Sequence, residues 1–225
     1  MDTQPAWRTA SHQGTREVNA DAVATVNGVV ALADGIGDDM SAAHAALLAT
    51  TAAVGVPAMA GPEAALAAAH EAVTAGDCVL VVAQPFSGGY RIGWVGDVRA
   101  YAWDGTGLRQ LTKDHTLAQY FRDHGEDVTP RMEHLVTTSV HTAPAHRYGT
   151  TETSATSLVL TTDGVHKTLT DEAMTTILRH ASNPAEALVQ AAHMAGARDN
   201  ATAVVLTGAP SPATSLPTSP LSLAA

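Results

Sequence analysis

The chain has 225 residues, 45% of them hydrophobic and 15% charged, which is enough apolar material for one full core and excludes a fibrous or disordered protein. Acidic residues outnumber basic ones 22 to 12, for a formal charge of −10, which argues against nucleic acid or an anionic membrane as the main partner. The single cysteine, Cys78, rules out an intrachain disulfide, and its apolar setting marks it as a core thiol rather than a nucleophile.

Met1 to Arg8 lacks the basic flank and apolar centre of a secretory signal, and no apolar run reaches membrane-spanning length. A cytoplasmic location, a monomer and no membrane partner are expected. Residues 6–12 and 21–26 read as strands, and Asn27-Gly28 is a two-residue hairpin signal leading into a strand over 29–33. Residues 38–56, rich in Ala, Leu and Thr, read as a helix stopped by Pro57. A second helix opens at Pro62 and runs to about residue 74, with proline at a tolerated first-turn position.

A meander follows, with strands near 77–84, 90–96 and 98–104 separated by short turns, so the three are expected as antiparallel neighbours. Another strand lies at 108–111. Thr112-Lys113-Asp114-His115 leads to a helix over 115–124, with Asp114 and His115 expected to anchor its start. Residues 125–142 are polar and irregular and read as a surface flap. Strands near 144–148 and 157–162, helices at 170–180 and 184–195, and a last strand at 201–207 complete a domain of residues 1–207. Pro and Ser crowd residues 208–225, which read as a disordered tail. Many strands with helix pairs between them suggest two packed sheets with helices outside.

Four aspartates share one setting. Asp34, Asp97 and Asp163 each follow an apolar strand, and Asp199 precedes the last one. Singly, each is an ordinary turn or cap residue. If those strand ends meet, like charges crowd and need neutralising. Mg²⁺ or Mn²⁺ suits carboxylate, carbonyl and water oxygens, and paired ions of this kind serve phosphate-ester hydrolysis. Arg16 is a candidate for gripping phosphate oxygens bidentately.

Six segments then carry a family resemblance: Gly14-Thr15-Arg16-Glu17-Val18-Asn19-Ala20-Asp21, Ala33-Asp34-Gly35-Ile36-Gly37, Val95-Gly96-Asp97-Val98-Arg99-Ala100-Tyr101, Leu111-Thr112-Lys113-Asp114-His115-Thr116, Thr162-Asp163-Gly164-Val165 and Ala197-Arg198-Asp199-Asn200-Ala201-Thr202. In this order and spacing the chain resembles the metal-dependent protein phosphatases of the type 2C serine/threonine family, in a compact bacterial form. The resemblance implies an α+β fold, a four-layer α/β/β/α sandwich with two central antiparallel sheets flanked by helix pairs. It implies two Mn²⁺ or Mg²⁺ ions bridged by Asp34, with the Gly35 carbonyl on one ion and Asp163 and Asp199 on the other. Asp97 matches a position that helps hold a third, weaker ion. Asp21 matches an acid that orients the attacking water, and Arg16 matches the phosphate-binding arginine. The implied reaction is hydrolysis of phosphoserine or phosphothreonine in proteins, by direct attack of a water activated at the binuclear centre. The substrates would be targets of a bacterial Ser/Thr kinase.

The chain differs from the usual family pattern at several points. Ala20 stands where Glu is usual, Asp38-Asp39-Met40 where Gly-His often follows, Val98 where Ser is usual, and Lys167 where many relatives carry an acid. These differences keep open an alternative reading, a catalytically weak or inactive regulatory or binding module.

Overall fold

A computed structural model describes residues 6–208. The expected tail lies, apart from Gly208, outside the described residues. In chain order the elements are β1 (Ala6–His12), β2 (Asp21–Val26), β3 (Val29–Gly35), α1 (Met40–Gly55), α2 (Pro62–Ala72), β4 (Cys78–Phe86), β5 (Gly89–Val95), β6 (Arg99–Trp103), β7 (Leu108–Gln110), α3 (Leu117–Asp123), β8 (Gly149–Thr153), β9 (Leu158–Thr161), α4 (Asp163–His166), α5 (Asp171–His180), α6 (Pro184–Met194) and β10 (Ala201–Thr207).

The strands form two five-stranded sheets, ordered β1-β10-β9-β6-β7 and β2-β3-β4-β5-β8. Every paired neighbour is antiparallel. Period-two alternation sorts the side chains into layers. Along β4, Val79, Val81 and Ala83 point into the space between the sheets, with Leu32, Ile92, Leu158, Leu160 and Val204. Leu80 and Val82 point the other way, against the alanines of α1 and Leu66 of α2. A third core lies between the outer face of the first sheet and α5 and α6, around Met174 and Leu188. These three interfaces make the expected α/β/β/α sandwich. Each fully buried leucine contributes about 1.5–3 kcal/mol. Alanine at Ala42, Ala45, Ala46, Ala49 and Ala53, all buried, presents a flat face on which α1 lies close to the second sheet.

The Asn27-Gly28 hairpin is as expected, with φ of 51° and 81°, the left-handed pair that a tight two-residue turn requires. Three expectations need correction. Strands β5 and β6 are not neighbours: β5 pairs with β4 and β8, while β6 pairs with β7 and β9 in the other sheet. Gly96, at φ 87°, carries the chain across the sandwich instead of folding it back. The strand expected at 144–148 is shifted: Ala145–Arg147 form a 3₁₀ turn, and the strand is Gly149–Thr153. Asp114 and His115 do not cap α3; Thr116 does, accepting from the Gln119 N–H at 3.2 Å. Asp114 is instead buried against Arg99, at 2.7 Å. Among the described residues, no helix is long and apolar enough to cross a membrane.

Candidate metal centre

One end of the sandwich collects the acidic residues. Asp34 stands near the end of β3, directly opposite Asp21 at the start of β2. Asp97 follows β5, Asp163 follows β9 and opens α4, and Asp199 lies just before β10. Antiparallel pairing puts these particular strand ends on the same rim, which is why residues far apart in sequence meet.

Asp21 joins the two sheets. From the second sheet its Oδ2 accepts hydrogen bonds from Thr202 Oγ1 of β10 at 2.6 Å and from Thr162 Oγ1 at 2.9 Å. Its Oδ1 is buried, with no partner among the described residues. Burial pushes the Asp21 carboxyl up from 3.8 to about 7, against the pull of these two hydroxyls, and Asp163 and Asp199 add to the rise. Among the described residues Asp34 has neither a hydrogen-bond nor an ion-pair partner for its carboxylate. Its carboxyl is raised well above 3.8, first by burial and then by Asp21, Asp163, Asp97 and Asp199. Those four charges are therefore within electrostatic reach of Asp34, as the sequence suggests.

The other acids already have cationic partners. Arg16 Nη2 donates to Asp199 Oδ2 at 2.5 Å. Lys167 Nζ donates to Asp97 Oδ2 at 2.6 Å and to Asp163 Oδ2 at 3.0 Å. Burial disfavours the charged lysine, but Asp163 and Asp97 outweigh it and raise its pKa, so Lys167 is held protonated. Asp97 is only 4% exposed; burial pushes its carboxyl upward and Lys167 pulls it part of the way back.

Arg16 lies on a loop that is fastened at several points. Thr15 donates its N–H to the Arg198 carbonyl at 2.9 Å. Gly14, at φ 67°, presses on the Asp199 backbone where a Cβ would collide. Two fastenings escaped the sequence reading. Asn200, 3% exposed, accepts from the Ala20 N–H at 2.8 Å and donates to the carbonyls of Gln13 and Val18 at 2.7 and 3.0 Å. Asp38 accepts from the N–H groups of Glu17 and Val18 at 2.8 and 3.2 Å. Asn200 stands in a quoted motif, so a signal was available; Asp38 shows only as a departure from the usual pattern. Its neighbour Asp39 caps α1, accepting from the N–H groups of Ser41 and Ala42. Ala20 is fully buried, and its Cβ is 2.9 Å from where a side chain on Gly35 would begin.

A cleft of about 540 Å³ is lined by Arg16, Asp38, Asp163, Lys167 and Asp199, with His134 of the flap; Asp21, Asp34 and Asp97 are not among its lining residues. A more apolar hollow of about 500 Å³ lies elsewhere, around Val26, Val54, Met59 and Phe86, and contains none of the candidate residues. Cys78 is fully buried, and burial, with Asp77 and Asp34 nearby, pushes its thiol up, so it offers no nucleophile.

Among the described residues, no three His, Cys, Asp or Glu side chains stand close enough to form a ready cage for an ion. The pairings explain this: Arg16 and Lys167 hold three of the five carboxylates, and hydroxyls hold a fourth. The donors around Asp34 nonetheless fit hard divalent ions. They are oxygens, they carry excess negative charge, and they include the unpaired Asp34 carboxylate and the orphan Oδ1 of Asp21. The place between Asp97 and Asp163 does not fit one, because Lys167 stands there.

No protein-family profile and no curated protein matches this sequence. Solved structures do. PppA, described as a key regulatory component of the T6SS in Pseudomonas aeruginosa, superposes with a TM-score of 0.80 at 25% identity, over 92% of this chain and 98% of that one. The catalytic domain of the serine/threonine protein phosphatase PstP, solved with two manganese ions, gives 0.69 at 26% identity, over 91% and 98%. The PPM Ser-Thr phosphatase MsPP from Mycobacterium smegmatis, in complex with cacodylate, gives 0.77 at 24% identity, over 91% and 99%. With its two five-stranded antiparallel sheets and flanking helices, the chain has the fold of the metal-dependent type 2C serine/threonine phosphatases.

Proposed function

We propose that this protein is a metal-dependent phosphatase that hydrolyses phosphoserine and phosphothreonine in proteins. The observation that carries this reading is Asp34: a carboxylate unpaired among the described residues, with four more aspartates in electrostatic reach, two of which, Asp163 and Asp199, line a cleft together with Arg16. Asp34, the Gly35 carbonyl, Asp163 and Asp199 would hold two Mn²⁺ or Mg²⁺ ions. Bound there, such ions would supply a Lewis acid that activates water and neutralises phosphate oxygens. The PstP structure with two manganese ions supports that choice.

The chain's own residues supply the rest. Arg16 spends one N–H on Asp199, and its planar fork leaves others for two phosphate oxygens. The loop fastenings at Asn200 and Asp38 keep that fork in place before substrate arrives. The Oδ1 of Asp21, with no donor among the described residues, would be free to accept from the attacking water and orient it. Proteins carrying phosphorylated Ser or Thr, products of a bacterial kinase, are the proposed substrates.

The test is phosphate release from a phosphothreonine peptide with added Mn²⁺. Activity is expected in the wild type, and Asp34→Asn is expected to lose at least the roughly 10²–10³-fold typical of removing one transition-state-stabilising group. No activity at any Mn²⁺ concentration, or an unaffected variant, overturns the reading. A second reading, a regulatory module with little turnover, is favoured by the ion pairs that Arg16 and Lys167 make with three of the acids. Two bound Mn²⁺ ions without turnover on any phosphopeptide would select it.

A further inference from the structure

We propose that the ammonium of Lys167 is itself the third cation of this centre, so that the chain takes two divalent ions where the family resemblance implies a third. The inference rests on the metal-centre reading above and adds to it.

The placement of Lys167 is built into the fold. It follows the short helix α4, and its N–H donates to the Asp163 carbonyl at 2.9 Å, closing a helical turn that returns its side chain to Asp163. The turn is clamped from below, since Gly164 packs against the Asn200 backbone with no room for a Cβ, and Val165 and His166 are buried. The lysine side chain is only 17% exposed, and the side chains of its two partners are 6% and 18% exposed. A surface lysine would sweep through solvent; this one is held between two carboxylates on different segments, Asp97 and Asp163.

One of these two carboxylates is also the one that a third ion would need. Asp97 is the position to which the resemblance assigns that ion, and Lys167 stands where many relatives carry an acid. Replacing an acid by a base reverses the local charge by two units. A third ion ligated by Asp97 would share that ligand with an ammonium 2.6 Å away and be repelled by it. A fixed single charge also differs in kind from an exchangeable ion: it cannot bind water as a Lewis acid, and it cannot be removed by a chelator.

Counting Mn²⁺ bound per chain, from the loss of the EPR signal of free Mn²⁺ during titration, tests this without reference to activity. The wild type is expected to saturate at two ions. Lys167→Asp is expected to take a third, weaker one, and Lys167→Met, which removes the charge but keeps an apolar stem, provides the same readout should the aspartate variant fail to fold. Three ions in the wild type, or no additional ion in either variant, overturns the inference and leaves the phosphatase reading intact. No bound Mn²⁺ in the wild type overturns both.

Discussion

Asp34 and Asp97 lie at strand ends on the same rim of the sandwich, yet the fold treats them in opposite ways. Asp97 is buried and neutralised by Lys167 at 2.6 Å. Asp34 has no partner among the described residues, and its surroundings push its carboxyl well above the usual range. The fold therefore resolves charge crowding internally on one side and leaves it unresolved on the other. Unresolved charge costs stability in the metal-free chain, and cation binding to the native state alone would recover it. The side left unresolved is the candidate site, in keeping with the general tendency of strain to concentrate where function needs it.

This contrast can be broken by experiment. The largest effect is expected at the resolved side. Lys167→Met leaves Asp97 buried without its cation, so the metal-free protein should lose about 3 kcal/mol, the cost typical of breaking a buried pair. Denaturant unfolding measures this, and a loss below about 1 kcal/mol would mean that the lysine neutralises little.

The unresolved side should show itself through pH. The native Asp21 carboxyl holds its proton up to about pH 7, whereas the unfolded chain releases it near 3.8, and Asp34 is displaced in the same direction. Between these values the native state binds more protons, so this contribution is fully present below about pH 4 and is lost as pH rises through 7. The melting temperature of the metal-free protein should therefore gain from these two groups in acid and lose that gain toward neutrality. Asp34→Asn should flatten the trend and raise the neutral-pH melting temperature by a few degrees, at about 2–4 °C per kcal/mol for a chain of this size. A variant that melts lower at neutral pH would show that Asp34 is not under stress. The smallest effect belongs to a fastening of the Arg16 loop. Asp38→Ala removes two hydrogen bonds near the surface and should cost about 1 kcal/mol, read by thermal unfolding.

The layered fold was legible because its local signals agree. Two apolar runs end in Asp-Gly, the hairpin carries Asn-Gly, and the first long helix stops before Pro57. What failed was the reading of turns that change sheet. Gly96-Asp97 looks like any short reversal, and only the pairing choices of β8 and β9, more than fifty residues away, send β5 and β6 to different layers. The candidate aspartates were legible as a set because they share strand-end positions. Their partners were less so. Lys167 was visible as a departure, but its grip on Asp97 spans 70 residues. Asp38 likewise reaches back 21 residues to hold Glu17. Ala20 reads in sequence as a missing acid, yet in the fold it is a packing residue against Gly35.

Asp21 deserves a different description from that of a site residue. It is a rung of one sheet and, through Thr162 and Thr202, a latch on the other. The proposed chemistry and the architecture thus rest on one carboxylate. A chain drifting away from catalysis could exchange Arg16 on its loop with little harm to the sandwich, but replacing Asp21 by an apolar residue would take from two hydroxyls the carboxylate they donate to at the seam between the sheets. The acidic character of this position could outlast the proposed activity, so its presence alone is a weaker witness to catalysis than Asp34, which faces it across the ladder and has no partner among the described residues.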